Sequence, residues 1–237
     1  MTANRRFSSG LLFGISYTYS KTMDLTSNEW GGLPTYVDRR TWNYGPANFD
    51  QTHMWVANYL WRIPKLSSKW NNVAVRAVFD NWTFSGTTTF ASGAPNAVSY
   101  STTDNADITG GGDGGRALQV AGPNLSHGDR SFSRWFNTDA FARPPQGDRG
   151  TAPTNSIRGP GINNWDMTFA KDIPLGSEAR FLEFRADFYN AFNHTQFSAI
   201  DTAARFDPAG NQVNGRFGQV IATRPARIIQ FALRFTF

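Results

Sequence analysis

The sequence contains no cysteine. That excludes a disulfide framework, a Cys-ligated zinc, an iron–sulfur cluster and a thiol nucleophile. No apolar run approaches 18 residues, so nothing in it reads as a transmembrane helix or a secretory hydrophobic region. Charge is sparse, at 17% of 237 residues, with Lys and Arg numbering 23 against 18 Asp and Glu. The isoelectric point near 9.7 raises nucleic acid as a partner. The basic residues are scattered, however, and the longest clusters are the pairs Arg5-Arg6 and Arg39-Arg40. A nucleic-acid footprint concentrates its charge on one stripe, so no nucleic acid is expected.

Signatures of catalysis are equally scarce. The three histidines, His53, His127 and His194, have no partner at metal-ligand spacing and read as loop or interfacial polar residues. No G-x-S-x-G elbow occurs. Glu183 and Asp187 share a strand face four residues apart, roughly 13 Å, too far for a carboxylate dyad. They read as charge balance on a wet wall. The run Gly110 to Gly115 lacks the Lys-Ser/Thr of a phosphate loop and reads as flexible loop. Asp104, Asp107 and Asp113 nearby raise calcium, but calcium-binding glycine repeats recur and this run does not. The chain is expected not to be an enzyme, with no cofactor and no metal.

What is present is an unusual pairing. Aromatic residues make up 15% of the chain, yet mean hydropathy is −0.44. The aromatics fall in stripes of period 2. Leu11, Phe13, Ile15, Tyr17 and Tyr19 alternate with Leu12, Gly14, Ser16, Thr18 and Ser20. Trp55, Ala57, Tyr59, Trp61 and Ile63 share a parity, as do Trp82, Phe84, Gly86, Thr88 and Phe90 opposite a polar run of Asn, Ser and Thr. Trp165, Met167, Phe169 and Ile173 repeat the pattern, and so do Leu182, Phe184, Ala186, Phe188 and Phe192. Ile229, Phe231, Leu233, Phe235 and Phe237 form the last stripe. Six strands are predicted, near 7–20, 50–63, 80–92, 162–173, 180–192 and 226–237.

The connections between them run long, short, long, short, long. Those at 21–49, 93–161 and 193–225 carry Gly, Pro and Asn throughout. A loop as long as 93–161 counts against a compact soluble domain. Strands near ten residues, short turns at one end and long loops at the other describe an antiparallel transmembrane β-barrel, with one face in lipid and one in water. Six strands fall short of the roughly eight that close a single-chain barrel, so a partial barrel with long external loops is predicted. Tyr17, Tyr19, Trp55, Tyr59, Trp61 and Trp165, with Phe235 and Phe237, are expected to form membrane-interface girdles. A sugar-stacking platform on a soluble sandwich would also alternate, and stays open on periodicity alone.

The terminal run Arg227-Ile-Ile-Gln-Phe-Ala-Leu-Arg-Phe-Thr-Phe237 is similar to the last strand of outer-membrane proteins. Upstream stand Asn48-Phe-Asp-Gln-Thr-His53, Asn81-Trp-Thr-Phe-Ser-Gly86 and Arg134-Trp-Phe-Asn137. Arg158-Gly-Pro-Gly161 with Asn164-Trp-Asp166, and Phe188-Tyr-Asn-Ala-Phe-Asn-His-Thr-Gln-Phe197, follow in order. Together they resemble the C-terminal barrel of Oar-like TonB-dependent receptors of the acidobacterial type. The resemblance covers nearly the whole chain. It implies an outer-membrane location, contact with outer-membrane lipid, and reading of Ile229, Phe231, Leu233, Phe235 and Phe237 by the barrel assembly machinery. It also implies a parent that binds a ligand at the cell surface and imports it with energy relayed by TonB. Family members carry a signal, a plug and further strands upstream, and no plug is read here. The TonB system is therefore expected to act only through the N-terminal part of the parent. Two other readings are carried forward: a structural or adhesive outer-membrane barrel without transport, and a secreted soluble carbohydrate-binding β-domain.

Overall fold

A computed structural model describes residues 1–8, 10–27, 38–70, 72–108, 115–177 and 180–237. Its main sheet is an antiparallel meander of seven strands in chain order. They are β1 (Thr2–Ser8), β2 (Leu11–Tyr19), β3 (His53–Arg62), β4 (Trp82–Ala91), β5 (Ile162–Ser177), β6 (Arg180–Tyr189) and β7 (Ile228–Thr236). The strands β2 to β7 occupy the six segments read from periodicity. β1 is additional, and it corrects the first segment, which was read as unbroken from residue 7 to 20. Gly10 interrupts that segment with φ of +80°, a conformation that glycine adopts without steric cost. The chain reverses there, and β1 pairs back on β2 with Thr2 opposite Ser16. Its sequence, Thr-Ala-Asn-Arg-Arg-Phe-Ser, has no apolar stripe to betray it.

A second difference lies at the end of β5, which was expected to stop at Ile173. It runs on to Ser177, with Pro174 opposite Phe181. Proline donates no ladder hydrogen bond, and it is tolerated here at a strand end where the register is already irregular. The short connection between β3 and β4 holds a 3₁₀ turn at Leu66–Ser68 and a helix, α1 (Val73–Phe79), among its described residues.

Register aligns every apolar stripe on one side of the sheet. One row crosses six strands as Leu11, Trp61, Phe84, Phe169, Ala186 and Phe231. The row beside it, on the opposite side, reads Leu12, Leu60, Ser85, Thr168, Asp187 and Gln230. Among the described residues no second sheet covers the apolar side. Trp61, Phe169, Ile173 and Phe231 are exposed on it. A soluble sandwich buries that face against a partner sheet.

The buried core sits elsewhere, within the long connections. Phe136, Phe141 and Phe217 meet edge to face at centroid distances of 5.2 to 6.1 Å. Ile157, Phe206 and Val220 pack into the same cluster. Short pairings tie the connections to one another. Ser99–Thr102 runs parallel to Ala203–Phe206, Pro95–Asn96 pairs with Ile157–Arg158, and Phe197–Ile200 pairs with Val220–Thr223. The long connections thus form a headpiece with its own apolar centre at one end of the sheet. The glycine run, from Gly110 to Gly114, lies outside the described residues, and so does Asp113.

Candidate functional site

Two surfaces carry the residues singled out by sequence: the apolar side of the sheet, and the rim where the headpiece joins it. On the apolar side, strand pairing gathers aromatics from separate segments. Tyr17 lies opposite Trp55 and Tyr19 opposite His53. The Tyr17 hydroxyl is 2.8 Å from His53 Nδ1, and the Tyr19 and His53 rings are 5.4 Å apart. Trp55 meets Phe90 at 5.3 Å, Phe90 meets Trp165 at 5.7 Å, and Trp165 meets Phe192 at 5.5 Å. Tyr17, Tyr19, Trp55 and Trp165 therefore stand in one aromatic cluster at the long-loop end. Trp61 stands near the opposite end of β3. Tyr59 sits between them, its ring over Gly86 and 5.3 Å from Phe84. Sequence reasoning left His53, Phe90 and Phe192 out of the belt. Parity alone places Phe90 and Phe192 on striped faces, but their proximity to Trp165 depends on register.

The terminal strand presents Ile229, Phe231, Leu233 and Phe235 to the same side, opposite Phe188, Ala186, Phe184 and Leu182 of β6. Phe235 and Phe237 stack at 5.6 Å. The outer edge of β7 has no strand beside it among the described residues.

On the polar side, Arg185 Nε lies 2.9 Å from Asp187 Oδ1, and the Thr168 hydroxyl donates to the same carboxylate. Glu183 faces Asp172 across one strand pair and Arg234 across the other. Paired and flanked carboxylates of this kind balance charge on a solvated wall.

The rim explains most of the motifs that carry the resemblance. Asp50, in the Asn48–His53 motif, is wholly buried, and Arg158 Nη2 reaches its Oδ2 at 2.7 Å. The Thr22 backbone N–H and the Thr52 hydroxyl also donate to it, at 2.8 and 3.0 Å. Burial by itself raises the Asp50 carboxyl. The Thr22 amide, the Arg158 guanidinium and the Thr52 hydroxyl outweigh it and hold the group below the usual carboxylate range. Arg158 belongs to the Arg158–Gly161 motif, and its carbonyl accepts the Trp135 indole N–H at 2.9 Å. Trp135 comes from the Arg134–Asn137 motif, whose Phe136 plugs the headpiece core. The Trp135 ring meets Phe197 edge to face at 5.9 Å. Gln196, beside Phe197, bridges back to β5 through the Asn163 N–H and the Asn164 side chain. Asp166 accepts the Asn190 N–H at 3.0 Å. Four of the five internal motifs therefore meet where headpiece and sheet join.

Between them lies a cleft of about 640 Å³, lined in part by Trp135, Phe197, Arg130, Arg158, His127 and His194. The Arg130 guanidinium lies 5.4 Å from the Trp135 ring centroid. His194 Nε2 is buried with no hydrogen-bond partner among the described residues. Edge-on aromatics with cations beside them can stack a flat ligand surface and hold an anion. No group of acidic and histidine side chains among the described residues is arranged to hold a metal ion.

No curated protein and no solved structure matches the chain. Residues 1–230 match the outer membrane beta barrel domain. That match agrees with a meander whose strands bear one uncovered aromatic face and one polar face, so the chain belongs to the outer membrane beta barrel domain family.

Proposed function

We propose that the chain forms part of the wall and the outer face of a TonB-dependent receptor of the Oar-like type. In this reading the parent binds a ligand at the cell surface and imports it across the outer membrane. The long connections face outside and the short ones face the periplasm. Energy reaches the barrel through the TonB system, which contacts another part of the parent. The chain binds and conducts without catalysing a reaction, and the assembly machinery reads Ile229 to Phe237. The supporting observation is the meeting of four resemblance motifs at the rim, around a cleft with stacking and cationic side chains. Motifs that served only folding of the wall would not be expected to gather at the mouth.

The test is uptake by cells making the full-length parent. Radiolabelled ferric siderophore, cobalamin and oligosaccharide are supplied in turn, with and without TonB. Accumulation of one of them is expected, abolished by loss of TonB and reduced at least tenfold by Trp135→Ala in normally assembled protein. A barrel present at wild-type level whose cells take up none of the three in a TonB-dependent way counts against import and favours the structural or adhesive barrel.

A further inference from the structure

The longest connection at the short-turn end, 63–81, is built unlike a turn. Asn72 caps α1 by accepting the Ala74 N–H at 2.8 Å. The helix reads Val-Ala-Val-Arg-Ala-Val-Phe, and none of its residues is buried. Val73 is 81% exposed and Trp70, just before it, 63%. Val78 and Phe79 are exposed as well. Val73, Val78 and Phe79 thus remain largely uncovered by the described residues, and an exposed apolar surface of this kind calls for a second phase to cover it.

The helix is fastened to the lipid-facing side of the sheet. Trp82 and Lys171 are directly opposite each other on that side. The Trp82 indole N–H donates to the Val78 carbonyl at 2.8 Å. The Lys171 ammonium donates to the Val78 and Asp80 carbonyls at 3.1 and 2.8 Å. The last turn of α1 is thereby held at the end of the apolar surface, and the Lys171 charge is satisfied by backbone carbonyls as charges beside lipid usually are. The connection also carries Lys65, Lys69 and Arg76. Its only acid is Asp80, whose carboxylate is buried and receives the Ser67 N–H and hydroxyl. The solvent-facing charge of the segment is therefore positive.

A short apolar helix with tryptophan before it, basic residues around it and direct continuity with a lipid-facing wall fits the headgroup layer of a membrane. We propose that residues 65–70 and 72–79 form an interfacial anchor. Trp70 and α1 lie in the headgroup region of the phospholipid leaflet at the short-turn end of the barrel, and Lys65 and Lys69 rest on anionic phosphates. The anchor rests on outer-membrane placement and on the proposed orientation with the short connections facing the periplasm, and is independent of whether the barrel transports anything.

This chain contains no cysteine, and any cysteine elsewhere in the parent is first replaced by serine. Single nitroxides are attached to Val73→Cys and Val78→Cys, with Ser126→Cys in the headpiece as reference. The full-length protein carrying each label is studied in isolated outer membranes, after heat-modifiable mobility has verified assembly. Collision with oxygen relative to a water-soluble nickel complex is expected to be at least fivefold higher at Val73 and Val78 than at Ser126. Lys65→Glu with Lys69→Glu is expected to lower that ratio at least twofold. Equal ratios at all three sites would place the helix in water and overturn the anchor. Loss of both kinds of collision at Val73 and Val78 would mean a protein partner and would overturn it equally. A ratio unmoved by the two glutamates would remove the anionic phosphates from the proposal.

Discussion

At the scale of single residues, the lipid-facing side is packed by large rings placed over small neighbours. Gly86 lies opposite Tyr59 on one strand and Met167 on the other. A Cβ built there would stand 2.5 Å from the Asp166 carbonyl and 2.7 Å from the Tyr59 hydroxyl. The Asp166 carbonyl belongs to the backbone of β5 and cannot move aside as a flexible side-chain end can. Gly86→Ala is therefore expected to destabilise the assembled parent by about 1–3 kcal/mol, the usual cost of overpacking. The urea midpoint of the full-length protein in detergent reads it, and an unchanged midpoint would mean that the strands part more easily than this packing implies. Phe237 poses a different question. Phe237→Asp near the membrane boundary costs lipid energy of only about 0–1 kcal/mol. Loss of assembly well beyond that magnitude is expected, because the strand is proposed to be read by the assembly machinery. Thr236→Asp, on the polar side opposite Phe181, is expected to assemble better. Heat-modifiable mobility of both variants decides, and equal wild-type assembly would remove the recognition role.

At the scale of elements, ion pairs tie the long connections to one another. Asp50 and Arg158 join the connection before β3 to the one before β5, and Asp104 pairs with Arg143 within the latter at 2.9 Å. The Arg143 guanidinium is the main reason that the Asp104 carboxyl lies below its ordinary value. A carboxylate lowered on folding stabilises the folded form above its unfolded pKa, and loses that contribution as pH falls through the folded value. Both pairs therefore act in one direction. The headpiece should hold firm down to about pH 4, the ordinary carboxylate range, and loosen progressively below it. Pepsin cleavage within 93–161 on intact cells, followed from pH 4.5 to 2, should accelerate as the pH falls. Asp50→Ala removes the carboxylate that the half-buried Arg158 guanidinium and the Thr22 N–H donate to, which costs on the order of 1–3 kcal/mol. That variant should be cleaved faster than wild type already at pH 4.5. Equal cleavage of the two at pH 4.5 would show that the clamp does not hold the headpiece.

For the molecule as a whole, strand parity is informative. Seven antiparallel strands leave β1 and β7 pointing the same way, each with an edge that no strand of the described residues pairs. An open edge in lipid leaves backbone groups unsatisfied, so both edges are paired in the assembled barrel. Head-to-tail copies of this chain would bring β7 against β1 in a parallel pair. All-antiparallel closure instead takes an odd number of further strands, in keeping with the even totals of bacterial barrels. Orientation is open to a labelling experiment. Cysteines at Ser101 or Ser126, in the headpiece, should react with an impermeant thiol reagent on intact cells, and one at Ser67, beside α1, should react only after the outer membrane is permeabilised. The reverse pattern would invert the barrel.

The sequence by itself determined which residues face lipid and which face water along each strand, because the side-chain period of a strand is a local property. It carried the stripes of β2 to β7 and the alternation of long and short connections. It did not carry β1, whose polar residues lack a stripe and which forms because Gly10 reverses the chain onto β2. Nor did it reveal that the long connections fold, since Phe136, Ile157 and Phe206 converge from irregular segments with no period to mark them. The Asp50–Arg158 clamp joins residues 108 positions apart, and the rim cleft depends on Trp135 meeting Phe197 across a similar kind of gap. Pairing register decides which stripes become neighbours, and side chains distant in the chain decide what surrounds the mouth. Both are set by many contacts acting together in three dimensions, which is why only the tertiary structure displayed them.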